Sequence, residues 1–193
     1  MPYIGFHNKE VSFKIVYYGP GMSGKTTNLV HIHKNLRPDR KGEMVMLDTD
    51  EERTLFFDFF PLELGQVEGF SVRFNMYTVP GQSYYEASRK LVLDSADGVV
   101  FVADSRAERL QENLDAYKQL LEQLESLGMD PHSFPVVLQY NKRDCGNLIP
   151  VGTLESKFNL NGIPVFESVA QTGKGVMETV RKVTQMVVTK FEI

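Results

Sequence analysis

The sequence predicts an α/β fold built on a mostly parallel central sheet, with helices on both faces and one antiparallel hairpin strand. Three observations predict it. Residues 98–103 and 135–140 are short, almost wholly apolar runs, which suit central strands covered on both sides. Segments with apolar residues at helical spacing lie between such runs, so strands and helices alternate along the chain. Residues 70–77 read instead as a strand that follows another, residues 55–64, across a turn containing Gly65 and Gly69, which is a hairpin pattern.

The elements follow in order. Residues 3–6 suit a first strand that turns at Asn8 before Val11. Residues 12–18 are β-branched and aromatic and stop at Gly19. Residues 26–36 place Leu29, Ile32, His33 and Leu36 on one helical face. Residues 43–47 suit one more short strand. Leu110, Leu114, Tyr117, Leu121 and Leu124 repeat at helical spacing, as do Val176, Val180, Val183 and Val187, with a short strand at 163–166 before them. In a sheet of this kind ligands bind beyond the carboxyl ends of the strands. The loops to read are therefore those after Tyr18, Tyr77, Ala103, Tyr140 and Phe166.

The 193 residues fit one domain, 1–193, with enough chain to bury its own core. A net charge of −4 with 24% charged residues lacks the basic excess of a general nucleic-acid binder. A single cysteine, Cys145, cannot pair within the chain, and a reducing, cytoplasmic setting is expected. No secretory leader is expected, and no apolar run approaches the length of a membrane span. Position 2 is Pro2, and the ending Lys190-Phe191-Glu192-Ile193 lacks a prenylation cysteine. No direct membrane anchor is expected, and any membrane association would run through a protein partner.

Gly19-Pro20-Gly21-Met22-Ser23-Gly24-Lys25-Thr26 fits G-x-x-x-x-G-K-[ST], and it follows a strand and opens an amphipathic helix, the context the motif requires. Gly19, Gly21 and Gly24 let the backbone wrap closely around a triphosphate. The N–H groups of Met22, Ser23 and the helix start, including Thr27, present positive potential to it. Lys25 can reach the outer phosphates, and the Thr26 hydroxyl can ligate Mg²⁺. A second glycine cluster, Thr172-Gly173-Lys174-Gly175, lacks the full spacing and reads as a turn.

Asn141-Lys142-Arg143-Asp144 follows a buried strand. Guanine offers an N1–H and an exocyclic amine on one edge, and one carboxylate accepts from both; adenine has no N1–H. Asp144 takes that role, Asn141 ties loops and contacts the base, and the stem of Lys142 covers the ring face. Together with the phosphate loop, these residues resemble the Ras-like small GTPases, whose guanine motif is [NT]-K-x-D. The resemblance places Ala170 and Gln171 in the last base loop, with the Ala170 N–H meeting the guanine oxygen. Val169 and Gln171 depart from the family's flanking serine and lysine.

The same resemblance reads Thr78-Val79-Pro80-Gly81-Gln82 as the second switch. It implies that the Gly81 N–H senses the γ-phosphate and that Gln82 orients the attacking water. Thr78 stands where the family has an aspartate supporting Mg²⁺, so the metal loses a charge there. Arg53-Thr54 lies where the first switch belongs. Thr54 matches a threonine that closes on Mg²⁺, and Arg53 reads either as a built-in arginine finger or as a surface arginine paired with Glu51 or Glu52.

Three stretches narrow the resemblance. Residues 15–21, 51–58 and 77–82 are similar to those of the bacterial gliding-motility GTPases of the MglA type, in which threonine also replaces the aspartate. That resemblance implies a GTP-binding, GTP-hydrolysing, cytoplasmic switch controlling cell polarity and motility. It implies GTP/GDP and Mg²⁺ as ligands, a roadblock-type GTPase-activating homodimer as partner, and effectors in motility or pilus machinery. Thr78 keeps a second reading open, a guanine-nucleotide-binding scaffold that does not hydrolyse; Asp144 argues against a third, an ATP-using phosphoryl transferase. Half of the aromatic run 55–60 faces the core, and the other half reads either as a partner surface or as an exposed aromatic row. His31 and His33 do not share a helix face, so no histidine metal site is expected.

Overall fold

A computed structural model describes residues 2–46, 58–67, 69–81, 86–158 and 162–191. The strands are β1 (Tyr3–Gly5), β2 (Glu10–Tyr18), β3 (Val45–Met46), β4 (Asp58–Val67), β5 (Phe70–Thr78), β6 (Gly98–Asp104), β7 (Val136–Asn141) and β8 (Val165–Glu167). The helices are α1 (Lys25–Asn35), α2 (Glu86–Leu93), α3 (Leu110–Ser126), α4 (Val151–Phe158) and α5 (Val176–Lys190). The strands form one sheet in the order β3-β4-β5-β2-β6-β7-β8, with β1 added to β2. The pairs from β5 to β8 are parallel, and β1–β2, β3–β4 and β4–β5 are antiparallel. The predicted mixed sheet is present, with three antiparallel pairings where one hairpin was expected.

β6 and β7 are buried along their whole length, as an apolar run in a parallel sheet requires. Successive residues face opposite sides of the sheet. Val99, Phe101 and Ala103 join Tyr117, Leu120 and Leu124 of α3 and Leu154 and Phe158 of α4 in one core. Val100 and Val102 join Leu29 and Ile32 of α1 and Val176, Val180, Val183 and Val187 of α5 in the other. The Phe101 ring meets Tyr117 and Phe158 edge-on at centroid distances of 5.1 and 5.7 Å.

Two helices, α2 and α4, go beyond the sequence reading. α4 buries only Leu154 and Phe158, one i,i+4 pair, and its first turn bonds back to the Pro150 carbonyl. The hairpin also differs in detail. β4 runs to Val67, which pairs with Phe70. Gly65 is not a turn residue: it sits inside the strand at φ 115°, at a bulge between Glu63 and Gly65. Of the aromatic run, Phe60 is fully buried, its ring 5.2 Å from that of His33, while the Phe59 ring lies 4.7 Å from that of Tyr77. Residues 55–57 lie outside the described residues.

Candidate nucleotide site

The carboxyl end of β2 carries the phosphate loop. Gly19 takes φ 147° and Gly24, at the start of α1, takes φ 100°. A side chain at Gly19 would meet the Val102 carbonyl oxygen, and one at Gly24 the Asn141 amide, so the loop packs too closely for any other residue. α1 starts with no side-chain cap and no acidic residue in its first turn, which leaves its positive end to an anion. Lys25 is only 7% exposed, and its Nζ donates to the carbonyls of Gly19 (3.0 Å) and Pro20 (2.8 Å). Burial lowers its pKa to about 7; the positive charge of Arg89 adds to this and Asp58 opposes it. Gly81 lies against the loop: a Cβ there would be 2.5 Å from Gly21 Cα and 2.7 Å from Lys25 Nζ.

Asp58, the first residue of β4, has the first claim on the metal side of the site. Its Oδ2 accepts from Thr26 Oγ1 at 2.5 Å and from Thr78 Oγ1 at 3.0 Å. Its own N–H donates to Thr78 Oγ1 at 2.8 Å. A carboxylate thus stands beside the phosphate-loop hydroxyl even though position 78 has none. The three oxygens are hard donors of the kind Mg²⁺ takes, and the set fits that ion. Sequence reading passed over Asp58 because it sits in an aromatic run; its role depends on the pairing of β4 with β5.

At the base end, Asn141 closes β7 and uses both ends of its amide. Nδ2 donates to the Ser23 carbonyl (2.8 Å), and Oδ1 accepts from the Ala170 N–H (2.9 Å) and the Ser168 hydroxyl (3.1 Å). The expected loop tie is present. The Ala170 N–H, however, already donates to Asn141, so a base carbonyl reaching Ala170 would share that donor. Lys142 adopts φ 65°, and its Nζ binds Asp104 Oδ2 at 2.9 Å. Burial alone would raise the Asp104 pKa; hydrogen bonds from Arg106 and Lys142 outweigh it and hold the carboxyl below its ordinary value.

These parts enclose a cavity of about 500 Å³, lined at one end by Met22, Gly24, Lys25, Thr26 and Thr27 and at the other by Asn141, Lys142 and Asp144. That volume lies in the usual range for a small-molecule site. Val169, Ala170, Gln171, Arg106 and Cys145 complete its wall. Ten of the predicted phosphate and base residues thus line one space, whereas Gly19, Gly21, Ser23 and Gly81 are not among its lining residues. Arg106 and Cys145 were not foreseen, although the loop after Ala103 was among those expected to line the site. Arg53, Thr54 and Gln82 lie outside the described residues. His31 bonds with Asn35, and His33 with the Gly42 carbonyl. Residues 172–175 form the expected turn, with Gly173 and Gly175 at positive φ.

A phosphate loop on a central parallel strand, sharing one cavity with a carboxylate-ended base loop, defines a P-loop nucleotide-binding domain of the Ras-like kind. The model of the ADP-ribosylation factor family matches residues 4–187. The chain is 46% identical over 192 residues to the mutual gliding-motility protein MglA of Myxococcus xanthus (strain DK1622), a match spanning 100% of this chain and 98% of that protein. The chain belongs to the ADP-ribosylation factor family of GTP-binding, Ras-like small GTPases, as a member of the MglA type. Among the described residues, no helix is long and apolar enough to cross a membrane.

Proposed function

We propose that this chain is a single-domain, cytoplasmic switch that binds GTP, hydrolyses it to GDP, and controls bacterial polarity and motility by recruiting partners. The observation that carries the reading is the shared cavity, with Lys25 at its phosphate end, Asp144 at its base end, and Asn141 holding the two loops together. Lys25 and the N–H groups of residues 21–27 hold the phosphates. Asp144 selects guanine, Lys142 covers the ring, and Ala170 and Gln171 close the base side. Gly81 reports the outermost phosphate through its N–H.

Bound Mg²⁺ supplies positive charge against the outer phosphate oxygens. Thr26 and Thr54 are its proposed ligands, and Asp58 supplies the negative charge that Thr78 lacks. Gln82 orients the water and Arg53 stabilises the charge that develops on the leaving oxygens. A roadblock-type homodimer acts as the activating partner, and the effectors belong to motility or pilus machinery. The similarity to a protein named for mutual gliding motility supports this placement.

Single-turnover hydrolysis tests it: GTP and ATP are each followed with Mg²⁺, with and without a roadblock-type homodimer. GTP turnover without ATP turnover, lost in Gln82→Leu and Arg53→Ala, is the expected result. Unchanged turnover in Gln82→Leu would remove Gln82 from the mechanism. Tight GTP retention with no phosphate release, even with the partner, would favour the non-hydrolysing scaffold that Thr78 motivates.

A further inference from the structure

Asp104 ends β6 and its side chain is fully buried. Its Oδ1 accepts from Arg106 Nε at 3.0 Å, and its Oδ2 from Arg106 Nη2 at 2.7 Å and Lys142 Nζ at 2.9 Å. Arg109 Nε stands 3.9 Å from Oδ2. The backbone of Asp104 is clamped as well: its N–H donates to Asn113 Oδ1 (2.9 Å) and its carbonyl accepts from Asn113 Nδ2 (2.7 Å). The carboxylate thus has a fixed place, and three cations are arranged on it.

Those cations reach the cavity wall and the phosphate loop. Lys142 and Arg106 line it. Arg109 also pairs with Glu112 (2.9 Å), and its Nη2 donates to the Gly21 carbonyl in the phosphate loop at 2.9 Å. No direct bond joins Arg109 to Lys142 among the described residues, so Asp104 is the group they share. We propose that Asp104 is a positioning residue that couples the base-covering Lys142 to the phosphate loop and so sets the rate of nucleotide release. The proposal rests on the guanine-nucleotide reading above. Without the carboxylate, three like charges, each partly exposed, face one another across the buried place it held. Lys142 then loses the anchor that lays its stem across the base, and Arg109 loses one of the groups that aim it at Gly21.

The sign of the effect separates this role from simple electrostatics. Asp104→Asn makes the cavity wall more positive, and charge alone would then slow release of an anionic nucleotide. Positioning predicts the reverse: release faster by about tenfold to a hundredfold, the range for loss of a charge-assisted hydrogen bond. The test follows release of a fluorescent GDP, chased with excess GDP, from wild type, Asp104→Asn, Lys142→Met, Arg109→Gln and the double variants. Lys142→Met and Arg109→Gln are expected to combine to less than the product of their separate fold-changes. In the Asp104→Asn background, Lys142→Met is expected to add little.

Slower or unchanged release in Asp104→Asn overturns the proposal. So do fold-changes of Lys142→Met and Arg109→Gln that multiply independently, a result obtainable even if Asp104→Asn does not fold. Fluorescent ADP binding to wild type as tightly as GDP would sink the guanine reading itself, separately from any effect at Asp104.

Discussion

Lys25 in this structure is held against backbone carbonyls, and burial brings its pKa down to about 7. Bound phosphates would place anionic oxygens beside the ammonium and return its pKa toward or above the ordinary value of about 10.5. Nucleotide binding must then take up a proton whenever the site starts out neutral. With a pKa of about 7, the lysine is about half charged at pH 7 and about a tenth charged at pH 8, so uptake is about 0.5 and about 0.9 protons at those pH values. By linkage, affinity falls by about sixteenfold between pH 7.0 and 8.5. Titration calorimetry of GDP in buffers of different ionisation heat reads the proton count, and fluorescent GDP reads the affinity. Lys25→Met should bind weakly with a flat profile, which also controls for titration of the nucleotide. Wild-type affinity flat over this range, or a slope retained in Lys25→Met, would show that Lys25 is not the group taking up the proton. The sign for folding runs the other way. The nucleotide-free fold binds fewer protons than the unfolded chain between pH 7 and 10.5, so its stability rises with pH across that window.

Asp58→Asn keeps the shape of the Thr26–Thr78 bridge but removes its charge; the Mg²⁺ concentration that half-maximally slows GDP release should rise at least about tenfold. An unchanged midpoint would show that Asp58 does not serve the metal. Asn141→Ala leaves a buried carbonyl, a buried N–H and a buried hydroxyl without their partner, a cost of about 3 kcal/mol or more. Calorimetry should show Tm lower by about 6–12 °C for a domain of this size. Phe101→Ala, at a fully buried ring touching Tyr18, Tyr117 and Phe158, should cost about 3–5 kcal/mol in denaturant unfolding without changing the preference of the folded protein for GDP over ADP.

What the sequence made legible was whatever repeats or is local. β6 and β7 announced themselves as continuous apolar runs, and α3 and α5 by four or five apolar residues at helical spacing. The phosphate loop is one contiguous motif whose neighbours set its context. α4 escaped because a helix burying one pair, Leu154 and Phe158, offers no period to detect, although Pro150 just ahead of it was a start signal. Asp58, Asp104, Arg106 and Arg109 escaped for a different reason. Asp58, Asp104 and Arg109 each gain a role from a residue 20 to 88 positions away, Thr78, Lys142 and Gly21 in turn, and Arg106 joins through Asp104, two residues before it. Such pairings exist only once the sheet is assembled. The turn at Gly65 was misplaced because a glycine at positive φ marks a bulge as readily as a turn, and only strand pairing tells the two apart.

That bulge acts as a phase setter for the whole hairpin. Counted from the Val67–Phe70 end, an unbroken ladder would bring Asp58 opposite Val79. The one extra residue between Glu63 and Gly65 moves the ladder by one step, giving Glu63↔Arg73 and Phe59↔Tyr77, and sets Asp58 beside Thr78. A one-residue slip also exchanges the faces of a strand, so the same insertion turns Phe60 and Leu62 inward. Removing a single residue there should throw the carboxylate and the apolar anchors out of step together, while leaving the tip of the hairpin paired as before.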